Sequence, residues 1–255
     1  MSPGPIGIAI SGAGGRMGGH LRRLIAEAPD LRLAGALERP GHPEVGRAFT
    51  DDPEVALEGA GVLIDFSLPS ALLPLLGAAA RRGVAIVSGT TGLDEEALAA
   101  LDEAARKVPV VWSSNMSLGV NLLFALVEQV ARALPLSYDA EIVELHHRHK
   151  RDAPSGTALG LLRALRAGRP EGGDSFGRKG ELAERPLGEV GVHALRGGEV
   201  VGEHQVHLLG PYERLELTHR AQSREAFAQG ALQAARWVAG RSAGRYDMRD
   251  VLGLR

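Results

Sequence analysis

Hydrophobic positions fall into short apolar runs separated by longer stretches of helical spacing. Ile6–Ile10, Leu31–Leu37, Val62–Phe66, Val84–Val87 and Val108–Trp112 are such runs, and each reads as a buried strand. Between them the spacing predicts helices over His20–Ala28, over Ser70–Arg82 and from a cap at Asp94 to Lys107. Ser67–Pro69 is the expected start of the second helix. Strands alternating with helices predict a doubly wound parallel sheet.

Leu118–Leu134 reads as an amphipathic helix linking two halves, and beyond it the pattern changes. Asp139–Leu145, Val190–Leu195, Val200–Leu209 and Arg214–Ala221 read as strands, and Gly156–Ala167 as a helix. Arg169–Gly191 is rich in glycine, proline and mixed charge and is expected to be loop. This half predicts an α+β arrangement with a mostly antiparallel or mixed sheet. A last helix is expected over Arg224–Ala239, followed by a short tail at Tyr246–Leu254.

Composition narrows the function. With 255 residues the chain is one large domain or two modest ones. A formal net charge of −2 gives no global case for nucleic acid, and 4% aromatic residues leave few stacking platforms for single strands. There are no cysteines, which removes disulfides, thiol nucleophiles and thiolate metal sites and suits a reducing compartment. The first residues lack the pattern of a signal peptide, and no apolar run is long enough to span a bilayer. The expectation is a soluble, cytoplasmic protein with no membrane partner.

The chemistry concentrates between Glu144 and Ala158. His146, His147 and His149 lie among Arg148, Lys150 and Arg151, and a Pro154–Thr157 turn leads into an apolar run. Ser155 is a plausible N-cap, leaving N–H groups near Gly156 and Thr157 to meet an anion. Imidazoles and an ammonium suit proton transfer, and the helix start suits a carboxylate. The bland alternative is a solvated basic loop.

The first strand runs into glycines at positions 12, 14, 15, 18 and 19 and then a helix, the context in which a glycine turn approaches a pyrophosphate. Glu38, roughly 20 residues on, can accept from ribose hydroxyls, and Arg39 can hold a 2′-phosphate. Polar or glycine turns also follow the other strand ends, at Phe66–Ser67, Gly89–Thr91 and Ser113–Met116. In an open parallel sheet all of these belong to one crevice.

A zinc hydrolase using His146, His147 and His149 is disfavoured, because adjacent residues seldom ligate one ion and no second cluster completes a site. No metal is expected, and His149 reads as structural or solvent-facing. Ser155 lacks the glycine-flanked elbow of a serine hydrolase. Asp152 could orient a histidine or simply shape a turn. A dinucleotide sensor would not need His146 and Lys150, so another imine or amino-acid dehydrogenase is the stronger rival.

The segments Gly12–Gly18, Gly89–Gly92, Ser114–Asn121 and above all Glu144–Ala158 closely resemble the dihydrodipicolinate reductase family. Arg196–Gly198, Val201–His204, Glu213–His219 and Phe227–Ala231 are similar to it as well. The resemblance implies hydride transfer from NADH or NADPH to a small cyclic dicarboxylate on the route to lysine and diaminopimelate. It implies an α/β fold, a Rossmann-type doubly wound parallel sheet plus an α+β substrate domain with a mixed sheet. The expected domains are 1–116, completed by 222–255, for the dinucleotide, and 117–221 for substrate and a homotetramer interface. Carried over by position, His146 is the acid/base and Lys150 the proton donor, while His147, Gly156 and Thr157 hold substrate carboxylates. Gly12, Ala13, Gly14, Gly15, Arg16, Met17, Glu38, Arg39, Gly89, Thr90, Thr91, Ser113, Ser114, Asn115 and Met116 hold the cofactor.

Some positions depart from the family. Met116 stands where phenylalanine is frequent, Leu68 follows Ser67 where a basic residue can occur, and the stretch from Glu38 to Asp65 is short. Neighbouring cations are expected to disfavour protonation of His146.

Overall fold

The structure is a computed structural model, and it describes residues 4–181 and 183–254. The chain forms two compact units, Met1–Leu118 with Glu225–Arg255, and Gly119–Arg224. The boundaries thus fall slightly later than 116/117 and 221/222.

The first unit is built on a six-stranded sheet in which every pairing is parallel. Its strands are β1 (Ile6–Ser11), β2 (Leu31–Leu37), β3 (Val62–Asp65), β4 (Ala85–Ser88), β5 (Pro109–Trp112) and β11 (Gly244–Tyr246), in the spatial order β11-β5-β4-β3-β1-β2. Successive residues of a strand face opposite sides. Ile8, Ile10, Val62, Ile64, Val87 and Val111 therefore enter one core with α1 (Arg16–Glu27), α7 (Glu225–Val238) and α8 (Met248–Leu252). Ala9, Leu63, Ile86 and Val110 enter the other, with α3 (Pro69–Arg82) and α4 (Glu95–Ala105). Burial on both faces is why these strands read as unbroken apolar runs.

Several expectations needed correction. α1 begins at Arg16 rather than His20, with Gly18 and Gly19 inside it, because weak helix formers hide the start. A methyl group at Gly18 would lie 2.3 Å from the Gly12 carbonyl oxygen, so close packing outweighs propensity there. The cap of α3 is Leu68, with no side-chain hydrogen bond, since the Ser67 hydroxyl turns to Asp65 instead. The expected tail is a three-residue strand, β11, beside β5, followed by α8 under an Asp247 capping box. A four-residue helix, α2 (Pro53–Ala56), capped by Asp52, lies in the short stretch after Glu38. Such brief elements are too short to show a period.

The second unit carries a five-stranded mixed sheet in the order β10-β9-β6-β8-β7. The strands are β6 (Asp139–His146), β7 (Asp174–Ser175), β8 (Val190–Arg196), β9 (Gly202–Leu209) and β10 (Arg214–Ala221). β9 runs antiparallel to both β6 and β10, while β8 runs parallel to β6. β7 is two residues within the stretch expected to be loop, and it pairs with β8. α5 (Leu118–Ala133) and α6 (Gly156–Gly168) cover one face, where Leu123, Val127, Leu161 and Leu165 meet Ala140, Ile142, Val192, Val206 and Leu208. Burial alternates strictly along β6, so Glu144 and His146 share the core-facing side with Ala140 and Ile142.

Candidate active site

In the first unit the glycine turn follows β1. Gly12 has φ +75°, and a methyl group on it would lie 2.8 Å from the Phe66 carbonyl oxygen. Only glycine accommodates both demands. The Gly12 and Ala13 N–H groups donate to the Leu37 carbonyl at 3.1 and 3.0 Å, which fixes the turn against β2. Gly15 is the N-cap of α1 without a side-chain bond, and no acidic residue occupies the first helical turn. Such a helix start carries partial positive charge open to an anion. Arg16 is exposed at its first position, Met17 is half-buried against the core, and Ala13 is buried.

Glu38 Oε2 accepts from Gly14 N–H at 2.9 Å and Oε1 from Arg39 N–H at 3.0 Å. A cavity of about 750 Å³ opens beside the turn, lined by Gly12, Gly14, Gly15, Glu38, Arg39 and Phe66 among others. A tight glycine cradle, an uncapped helix start, an acidic residue at the end of β2 and a cavity of this size fit a dinucleotide.

The next strand ends meet at Phe66. A methyl group at Gly89 would lie 2.3 Å from its ring, so Gly89 is held by close approach. Asp65, fully buried, accepts from Ser67, from Ser88 Oγ at 2.9 Å and from Thr90 Oγ1 at 2.7 Å. The Thr90 side chain is therefore committed to Asp65, while Thr91 and Ser114 are exposed. Ser113 Oγ donates to the Asn115 carbonyl at 2.8 Å, and Asn115 Oδ1 accepts from Ser117 N–H at 2.8 Å. Met116 is buried in the core, where its carbonyl crowds Gly230, so its side chain contributes packing. Sequence reading overlooked Asp65 as an organiser; a carboxylate closing an apolar strand run was the available signal.

In the second unit β6 delivers His146 and Glu144 side by side. His146 Nδ1 donates to Glu144 Oε2. Arg196 Nη1 and Nη2 grip the same carboxylate at 2.9 and 2.8 Å, and Ser155 N–H donates to Oε1 at 3.1 Å. Glu144 is fully buried. Burial alone would raise its pKa, but Arg196, His146 and the Ser155 N–H hold it below the ordinary carboxylate value. For His146, burial is the largest influence and lowers the pKa. Glu144 opposes it, while Lys150 and Arg196 add to the lowering. The expected effect of the cations is present but ranks behind desolvation.

Ser155 caps α6, its Oγ accepting from Ala158 N–H at 3.1 Å. The same Oγ lies 3.1 Å from His204 Nε2, and the His204 ring stands edge-on to His146 with centroids 5.1 Å apart. His204 Nδ1 is buried with no hydrogen-bond partner among the described residues. Burial, with a further contribution from His146, pushes its pKa down to about 4.

Gly156 and Thr157 open α6, whose first turn holds no acidic residue. Lys150 Nζ pairs with Asp152 Oδ1 at 2.9 Å, so Asp152 partners the lysine and Glu144 is what orients the histidine. His147 N–H donates to the Val200 carbonyl at 2.8 Å, and its Nδ1 is buried without a hydrogen-bond partner among the described residues. His149 is exposed, 3.8 Å from Glu199. Among the described residues no group of three or more His, Cys, Asp or Glu is arranged to hold a metal ion. Nor does any described helix have the length and apolarity to cross a membrane.

A parallel sheet with a dinucleotide cradle, joined to a mixed-sheet unit bearing a buried carboxylate–imidazole pair, defines an α/β oxidoreductase that uses a nicotinamide cofactor. Two family models, dihydrodipicolinate reductase N-terminus and C-terminus, match residues 6–116 and 119–252. The chain belongs to the dihydrodipicolinate reductase family. It is 52% identical over 264 residues to the 4-hydroxy-tetrahydrodipicolinate reductase of Anaeromyxobacter sp. (strain Fw109-5), covering 98% of each chain. It is 47% identical to that of Myxococcus xanthus (strain DK1622), covering 96% of this chain and 97% of the relative. In fold it is similar to the dipicolinate-bound dihydrodipicolinate reductase of Paenisporosarcina sp. TG-14. The TM-score is 0.80 at 21% identity, over 95% of this chain and 97% of that one.

Proposed function

We propose how this chain acts as an NADH- or NADPH-dependent oxidoreductase that reduces 4-hydroxy-tetrahydrodipicolinate to tetrahydrodipicolinate in lysine and diaminopimelate biosynthesis. The observation that carries the reading is the grouping, in one unit, of a half-restrained imidazole, an ammonium and a helix start whose first turn holds no acidic residue. His146 leaves β6 with Nδ1 engaged, Lys150 follows four residues later, and Gly156 and Thr157 open α6.

Residues 1–116 with 222–255 bind the dinucleotide, and 117–221 bind substrate. Gly12, Ala13, Gly14 and Gly15, with the α1 start at Arg16 and Met17, receive the pyrophosphate. Glu38 accepts from ribose hydroxyls and Arg39 holds a 2′-phosphate, so both cofactors are accepted. Gly89, Thr90, Thr91 and Ser113–Met116 complete the cradle. When bound, the nicotinamide supplies a hydride to ring carbon.

The ring also takes up one proton and loses water overall. Lys150 delivers the proton, its ammonium steadied by Asp152. His146 exchanges protons as the acid/base through Nε2, the nitrogen that Glu144 leaves free. His147 and the Gly156 and Thr157 N–H groups hold the two carboxylates, opposite charge meeting the helix start. Leu195, Leu209 and Leu215 are exposed strand residues of the second sheet, and this supports a homotetramer closed through that sheet. A cytoplasmic location fits a chain without cysteine.

The test is NADH or NADPH oxidation with substrate formed in situ from pyruvate and aspartate semialdehyde. Oxidation should need both precursors, and His146→Gln should lower kcat much more than it raises KM. An unchanged kcat would remove His146 from the mechanism. No turnover despite cofactor binding would move the assignment to another imine reductase.

A further inference from the structure

We propose that Glu144 is the positioning residue of the substrate site, one carboxylate that sets both the reactive nitrogen of His146 and the carboxylate-binding start of α6. The inference rests on the acid/base reading of His146.

Residues two apart on a strand share a face, so Glu144 and His146 both enter the interior side of β6. The two preceding residues on that face, Ala140 and Ile142, are apolar and buried. A fully buried carboxylate in such a row is costly unless every lone pair is used. Here they are used, by Arg196 twice, by Ser155 N–H and by His146.

The division of labour follows from which oxygen does what. An ionised carboxylate only accepts. Oε2 faces Nδ1, so the neutral ring carries its proton on Nδ1 and presents a bare Nε2. That Nε2 borders Gly202, where an added methyl group would lie 2.9 Å away, so a side chain there would fill the space beside it. Oε1 takes the Ser155 N–H, one residue before Gly156, and so holds the start of α6. Arg196 spans both oxygens and also donates through Nη2 to the Asp152 carbonyl at 2.6 Å. Asp152 is the partner of Lys150. The proton-handling pair and the anion site therefore share one anchor.

Every charged or titratable neighbour of His146 bears on how it titrates. Glu144 lies on the same strand and Arg196 on β8. Lys150, paired with Asp152, lies on the following loop, and His204 on β9 stands next to His219 of β10. Of these only Glu144 bonds the ring, and it favours the protonated form. A glutamine at this position keeps a carbonyl for Ser155 N–H but turns an NH₂ donor towards Nδ1. The ring is then driven to the opposite tautomer and resists a second proton.

The experiment compares wild type, Glu144→Gln, His146→Gln and the double variant, with pH profiles and nitrogen NMR of histidine-labelled full-length enzyme. Wild type should show His146 protonated at Nδ1 when neutral. Glu144→Gln should lower kcat at least ~10-fold, in line with a wrong imidazole tautomer, with a smaller change in KM. Its activity limb assigned to protonated His146 should move to lower pH, because the negative charge that raised that pKa is gone. The double variant should be no worse than His146→Gln. Wild-type kcat and an unmoved limb in Glu144→Gln, beside a collapsed His146→Gln, overturn the proposal and leave the acid/base reading intact. An active His146→Gln instead overturns the reading on which it rests. If Glu144→Gln does not fold, the wild-type spectrum decides, and a proton on Nε2 with a bare Nδ1 refutes the assignment.

Discussion

His204 makes the enzyme's stability depend on pH in a way that can be calculated beforehand. It is buried, its Nε2 lies beside Ser155, and its pKa is pushed from 6.5 down to about 4, first by desolvation. In the unfolded chain this imidazole takes a proton as pH falls through 6.5; in the folded chain it waits until about 4. The unfolded state binds more protons between those values, so stability is full above 6.5 and declines as pH falls towards 4. At about 1.4 kcal/mol per pH unit, the gap amounts to about 3 kcal/mol. His204→Gln keeps a polar group for Ser155 but cannot ionise. Urea unfolding of both proteins near neutral pH and again near pH 4.5 measures the difference. Wild type should lose about 2–3 kcal/mol more than the variant over that interval. His146 and His219, whose pKa values are also lowered, are present in both proteins and cancel to first order. Equal losses in the two proteins would refute the assignment of acid sensitivity to His204.

Three further outcomes follow from the geometry. Gly18→Ala places a methyl group 2.3 and 2.5 Å from the Gly12 and Ala13 carbonyl oxygens. It should cost roughly 1–3 kcal/mol by overpacking and weaken cofactor binding; denaturation and nucleotide titration matching wild type would contradict that. Lys150→Ala should lower kcat and raise KM together, since it removes a proton donor and a cation beside the substrate, and normal kinetics would count against it. Arg39→Ala should harm NADPH use more than NADH use, and equal losses would sink the 2′-phosphate assignment.

The parallel sheet was legible because a strand buried on both faces leaves an unbroken apolar run, as at Val62–Ile64 and Ile86–Val87. The strand at Asp139–Leu145 was legible too, and with it the segment that carries His146 and Lys150. What escaped was short or long-range. α2, β7, β11 and α8 span two to five residues, fewer than a period needs. The start of α1 was masked by glycines kept for close contact. Asp152, near in sequence, reads as able to orient a histidine or to shape a turn, and the structure gives it to Lys150 instead. Glu144 lies two residues from His146, but its importance depends on Arg196, 52 residues away from it, and on Ser155. Asp65 likewise gains its role from Ser88 and Thr90 on the next strand end. Spacing along the chain carries no record of such meetings.

The parallel sheet has one more consequence, for the order in which the protein can be made. Its outer strand β11 and the core residues Ala228, Ala231, Leu232, Val238, Met248 and Val251 come from the segment that follows the mixed-sheet unit in the chain. A nascent chain that has reached Arg224 already holds every strand of the mixed sheet, but Ile8, Ile10, Val62 and Val87 still lack the wall that α7 and α8 provide. The mixed-sheet unit is therefore complete in sequence before the parallel-sheet unit, whose apolar surface stays uncovered until α7 and α8 are added.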